Sequence, residues 1–170
     1  MSTRHSWTIR TENNADIPRV HAINAAAFDT PAEAELVDQL RTDSAWIDGL
    51  SLVATDDTDT PIAHILVTRN HIGDTEAVCL APMAVLPEYQ RSGAGGALIR
   101  AVLREAATRG ERFVTVLGHP EYYPRFGFDR ASKYGIAMGV EVPDEALMVM
   151  SLDGSEPPRG IIRYAAPFGV

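Results

Sequence analysis

The stretch that most constrains the fold runs from a strand, through a glycine-rich turn, into a long amphipathic helix and on to a second strand. Glu76 to Val85 reads as a strand broken by Pro82, whose missing N–H predicts a bulge, a splay or a sheet edge at that point. Gly93, Gly95 and Gly96 then stand at the entrance of a helix predicted from Gly93 to Arg109. Ala94, Leu98, Val102 and Ala106 share one face of it, and Gly110 is placed to end it. Phe113 to Leu117 follows as a buried strand, so the order strand, helix, strand predicts a βαβ unit. A helix N-terminus presents N–H groups that have no partner within the helix, and its dipole favours negative charge. Small residues there let a phosphate come close, and Arg91 adds a side-chain donor. A glycine-rich loop that binds nothing is the alternative reading of these residues taken alone.

The rest of the chain fits a single mixed α/β domain, with no repeat and no linker long enough to divide residues 1–170. Trp7 to Arg10 reads as a short strand. Asp16 is placed to cap a helix starting at Ile17, with Val20, Ile23 and Ala27 at helical spacing. Thr30 as cap, Pro31 at the first helical position and Glu33 completing a capping box announce a second helix, with Leu36 and Leu40 on one face. Ser51 to Thr55 and Ile62 to Thr68 read as a hairpin across the polar turn Asp56 to Pro61. Further strands are expected near Ala146 to Leu152 and Ile161 to Tyr164.

Composition removes several classes of function. The chain has 15 basic and 23 acidic residues, a formal charge of -8, which argues against nucleic-acid binding through a broad basic face and leans toward cationic partners. One cysteine, Cys79, excludes an internal disulfide framework and a cysteine-rich zinc site; in a buried strand it reads as a small hydrophobe. The histidines show no recognised metal spacing, so no metal is expected. No apolar run is long enough to cross a bilayer, and the N-terminal residues lack a signal-peptide hydrophobic region, so the expectation is a cytoplasmic protein with no membrane partner.

Two other phosphate loops fit these glycines poorly. A P-loop needs a lysine after them, and a dinucleotide fingerprint needs a small residue where Leu98 stands. Gln90-Arg91-Ser92-Gly93-Ala94-Gly95 instead resembles the Arg/Gln-x-x-Gly-x-Gly/Ala signature of the GNAT superfamily of acyl-CoA-dependent N-acetyltransferases. The second block, Tyr122-Tyr123-Pro124-Arg125-Phe126-Gly127-Phe128, is similar to that family's segment after its fifth strand. Gly118 to Tyr123, just before it, resembles one bacterial subgroup.

The resemblance implies a mostly antiparallel central sheet flanked by helices, with acetyl-CoA as co-substrate in a cleft where the fourth and fifth strands part. It implies backbone contacts from Met83, Ala84 and Val85 to the pantetheine arm, and a diphosphate on the turn formed by Gln90, Arg91, Ser92, Gly93, Ala94, Gly95 and Gly96. Tyr123 matches the family tyrosine that faces the sulfur, while Tyr122 is assigned to packing. A phenol with a pKa of about 10 stays protonated at neutral pH and can donate to a leaving thiolate. The expected reaction is direct acetyl transfer to an amine, on a small molecule or a protein; a homodimer is compatible with it. For the base, His64 on the third strand leads His119 and Glu121, while Glu76 sits too near the start of its strand. A water relay, or an amine that enters neutral, removes the need for one. The rival readings are a non-catalytic acyl-CoA-binding regulatory domain and a nucleotide-binding domain.

Overall fold

The computed structural model describes residues 7–170. The described residues form one nine-stranded sheet in the order β1-β2-β3-β4-β5-β8-β6, with β9 pairing both β3 and β7. The strands are β1 (Thr8–Thr11), β2 (Trp46–Thr55), β3 (Pro61–Ile72), β4 (Thr75–Val85), β5 (Phe113–Leu117), β6 (Asp129–Arg130), β7 (Ile136–Met138), β8 (Leu147–Ser151) and β9 (Gly160–Arg163). The helices are α1 (Ile17–Ala27), α2 (Ala32–Arg41) and α3 (Ala94–Thr108). Pairing is antiparallel except between β4 and β5 and between β7 and β9. No helix among the described residues is long and apolar enough to cross a membrane.

Alternation along β3 divides the core. Ile65 and Val67 pack with Leu98, Ile99 and Val102 of α3, whereas Leu66 packs on the other face with Val20 of α1 and Val37 and Leu40 of α2. The α3 residues Leu98, Ile99 and Val102 are fully buried, each contributing about 1.5–3 kcal/mol of apolar transfer. That packing holds the first turn of α3 against the sheet.

Local corrections to the sequence reading have local causes. Asp16 holds the cap position of α1, but its side chain makes no capping bond to the helix: its carboxylate is taken by Arg10 at 2.6 Å and by the Asn13 N–H at 2.8 Å, closing a separate short turn ahead of the helix. Pro31 is the cap position of α2 rather than its first helical residue, and Thr30 still receives the Ala32 N–H at 3.3 Å. The hairpin strands are longer than read, because β2 begins at Trp46 and β3 continues to Ile72. β6 and β7 were not expected; two or three residues carry no legible alternation.

Candidate active site

β4 and β5 pair at only two positions, Val78 with Val114 and Cys79 with Thr115. Beyond them the strands part. On its other side β4 stays paired to β3 as far as Val85, with a bulge that sets Ala81 and Pro82 against the single residue Leu66. An extra residue bends the bulged strand, and Pro82 has no N–H for a ladder on either side. From Leu80 to Val85 the edge of β4 that faced β5 therefore has no strand partner, while Val116 and Leu117 of β5 pair only with β8. The result is a wedge open at the C-terminal ends of a parallel pair.

The glycine-rich turn closes the mouth of this wedge. The Gln90 side chain donates to the Val85 carbonyl at 3.3 Å, bracing the turn against the end of β4. Arg91 has φ +63°, a left-handed conformation that costs a non-glycine residue about 1–3 kcal/mol. Gly93, at φ +91°, is the cap residue of α3; its carbonyl receives the Ala97 N–H at 3.0 Å. The N–H groups ahead of Ala97, from Gly93 to Gly96, stand at the bare end of the helix. A Cβ on Gly95 would lie 3.3 Å from Met83 Sδ and 3.5 Å from the Tyr122 hydroxyl. A side chain there would press on Met83, between strand and loop. The Ser92 hydroxyl beside it is buried with no hydrogen-bond partner among the described residues.

Tyr123 comes from the turn after β5. The ring lies across Gly118, where a Cβ would stand 2.4 Å from ring Cε2, and it meets Phe128 edge-on at 5.8 Å. Phe128 is itself buried in the α3-side core, so the ring is held from both ends. No described residue hydrogen-bonds its hydroxyl. Burial, reinforced by Tyr122, pushes its pKa up to about 12, so the phenol keeps its proton at neutral pH. Gly118 thus leaves the space that the Tyr123 ring occupies, a position that the sequence offered only as part of a motif. Tyr122 also does more than pack: its hydroxyl reaches the first turn of α3. Burial raises its pKa, with Arg125 and Arg100 opposing.

His64 is not placed as a base. It is fully buried on the α1 face of the sheet, with Nδ1 accepting from the Asn24 amide at 3.2 Å and Nε2 bonded to Ser51 Oγ at 2.8 Å. Burial, helped by the positive charge of Arg41, pulls its pKa down to about 3. The ring ties β2 and β3 to α1 and has no nitrogen left for a substrate. His119 and Glu121 are exposed on the turn after β5, and Glu76 lies beside the β3–β4 turn at the far end of its strand. Cys79 is buried against Thr68 Oγ1 at 3.4 Å, and burial pushes its thiol up to about 11, a poor nucleophile as expected.

A concavity of about 440 Å³ is lined by Pro120, Pro124 and Phe128 of the turn that carries Tyr123, and by charges that pair among themselves, Arg130 with Asp144 and Lys133 with Asp129.

A mostly antiparallel sheet split at one parallel pair, with a bare helix N-terminus over the split, defines the GNAT class of fold. Residues 48–130 match the family model described as the acetyltransferase (GNAT) domain. The chain is 36% identical over 148 residues to the uncharacterized N-acetyltransferase YjhQ of Escherichia coli (strain K12), covering 84% of this chain and 81% of that one. It is 31% identical over 164 residues to the uncharacterized N-acetyltransferase YhbS of the same strain, covering 94% and 97%. The crystal structure of YhbS in complex with CoA superposes with a TM-score of 0.91 at 29% identity, over 100% of this chain and 96% of that one. A GNAT family acetyltransferase from Brucella melitensis in complex with acetyl-CoA gives 0.80 at 32%, over 96% and 99%. The chain belongs to the GNAT acetyltransferase family.

Proposed function

We propose that this chain transfers an acetyl group from acetyl-CoA directly to a primary amine, on a small molecule or a protein. The observation that carries the reading is the conjunction at the wedge: an unpaired edge of β4, a helix end bare of side chains at Gly95, and a Tyr123 hydroxyl with no hydrogen-bond partner among the described residues. The cradle fits a diphosphate, because the N–H groups from Gly93 to Gly96 carry the positive end of the α3 dipole and Arg91 stands beside them. Gln90 holds the turn in place, and the buried Ser92 hydroxyl gains a partner if a ligand oxygen reaches it. Outward backbone groups of Met83, Ala84 and Val85 offer a ladder edge to the amide groups of the pantetheine arm.

Bound acetyl-CoA supplies an activated acyl carbonyl and a thiolate leaving group. An N–H on the free edge of β4 would meet the negative charge that develops on the carbonyl oxygen. Tyr123 would supply the proton that ends on sulfur as the C–S bond breaks and the C–N bond forms, and would take a proton back from solvent before the next turnover. With His64 sealed away, the amine proton leaves to water or to an exposed group such as His119 or Glu121, or the amine arrives neutral. The formal charge of -8 favours a cationic acceptor in the encounter.

The test is thiol release from acetyl-CoA across a panel of amines, with acetylated product identified by mass. Turnover with at least one amine supports the reading. CoA binding without turnover on a broad panel moves the assignment to a non-catalytic acyl-CoA-binding domain, a reading that gains some support from the burial of His64.

A further inference from the structure

A second cavity, of about 380 Å³, lies on the α2 side of the sheet, where one edge of β3 changes partners. β2 and β9 take that edge in turn, Trp46 pairing with Thr68 and Arg163 with His71, so Asn70 falls at the junction between them. Asn70 stands four residues beyond Leu66 and so on the same face, opposite Ala77 of β4. Ala77 is four residues before Ala81, which puts about 13 Å of strand between the cavity floor and the bulge where β4 leaves β5. The Asn70 side chain is buried; its Nδ2 donates to Thr115 Oγ1 at 3.0 Å, and its Oδ1 has no hydrogen-bond partner among the described residues. Around it stand Asp43 and Ser44 of the turn after α2, and Tyr164 of the segment after β9. Asp43 Oδ1 receives the Ala45 N–H at 2.9 Å, but the carboxylate has no cationic partner among the described residues. The Tyr164 hydroxyl makes no hydrogen bond among them either, and burial raises its pKa, so it keeps its proton. Both guanidiniums that line the cavity are engaged elsewhere, Arg69 with Glu111 and Arg163 with Asp74; His71 is the remaining titratable group on its wall.

We propose that this cavity binds the ammonium group of a small primary amine, at a site separate from the wedge. A buried amide oxygen without a partner calls for a donor, so a carboxylate or phosphate is the wrong group to meet Asn70. Asp43 calls for a positive charge. A primary ammonium answers both, because it carries its charge on three N–H donors, and Asp43, Asn70 Oδ1 and the Tyr164 oxygen supply three acceptors. Ala45, Ala165 and the Tyr164 ring give the carbon chain an apolar wall. Among the carboxylates and guanidiniums at the cavity, Asp43 is the one left unbalanced, and the formal charge of -8 adds to the attraction for a cation. The site stands whether or not the wedge transfers acetyl groups.

The experiment is a titration of the isotope-labelled full chain with propylammonium chloride at about pH 7, where a primary amine carries its proton. Heteronuclear NMR follows the Asn70 side-chain amide and the Ser44 and Ala45 backbone amides, with sodium chloride at matched ionic strength as the baseline. Tetramethylammonium, which has the charge but no N–H, and propanol, which has the chain but no charge, are the comparison ligands. The wild type should give saturable shifts at these amides with propylammonium, and should bind each comparison ligand about tenfold or more weakly. Asp43→Asn keeps an oxygen for the Ala45 N–H and should weaken propylammonium by about tenfold, and Tyr164→Phe by about threefold. Saturable shifts confined to the free edge of β4 and the turn after β5 assign the amine to the wedge alone and overturn the proposal. So do the absence of saturable shifts, equal binding of either comparison ligand, and an Asp43→Asn variant that binds propylammonium as the wild type does.

Discussion

Replacing His64 by Gln should flatten the acid side of the stability profile. The native ring has its pKa pulled down to about 3, because protonation would place an unpaired charge in the sheet. In the unfolded chain it returns to about 6.5. The unfolded state therefore binds the extra proton first. The contribution to stability is fully present above about pH 6.5 and is lost progressively as pH falls toward 3. Between about pH 7 and about pH 4.5 this one group should cost about 2–3 kcal/mol, near the linkage slope of ~1.36 kcal/mol per pH unit. His64→Gln retains an amide that can bond Ser51 or Asn24 but cannot titrate. Urea unfolding of both proteins at the two pH values gives the comparison. The variant should lose about 2 kcal/mol less than the wild type over this interval, whatever its stability at neutral pH. Parallel losses would refute the argument. A pH profile of kcat/KM provides an independent check: its shape should be the same in both proteins, and disappearance of a neutral-range limb in the variant would restore His64 as the base.

Gly95→Val should weaken CoA binding by about tenfold or more, because its side chain would fill the space against Met83 and Tyr122; near-normal calorimetric affinity in a folded variant would remove the cradle. Tyr123→Phe keeps the packing on Phe128 and should lower kcat by about tenfold with little change in CoA affinity, when chemistry limits turnover. Gly118→Ala drives a methyl into the Tyr123 ring, so it should lower kcat in the same sense and reduce stability by about 1–3 kcal/mol in thermal unfolding. A pH limb that follows the acceptor's own pKa when the amine is changed would show that the amine enters neutral; a limb fixed across acceptors would assign the proton to the protein.

Long-period signals survive in sequence because they repeat. α3, with its apolar face recurring over fifteen residues, was legible to within a residue at its N-terminus, and β5 and β8 were legible as apolar runs. Pro82 marked the break in β4 without deciding among bulge, splay and edge; the register shows a bulge on the β3 side and an unpaired edge on the β5 side. Short strands such as β6, and the capping geometry around Asp16, depend on partners distant in sequence or on competing ion pairs, so local pattern misassigned them.

The glycines at the helix entrance, the Pro82 break and the aromatic block after Leu117 are covalent facts with local consequences: they dictate where backbone can be bare, where a ladder must stop and where a ring must follow a strand. Those consequences were enough to place a glycine-lined helix end at the head of α3. Which side chains face it was decided by tertiary structure. His64 stands on the face of β3 that α1 and α2 cover, and burial there pulls its pKa down to about 3 and removes its use as a base. The same holds for Tyr122, Arg100 and Arg125. They lie on separate elements, α3 and the turn after β5, and become neighbours only when β5 lies parallel to β4 and brings that turn back over the helix N-terminus.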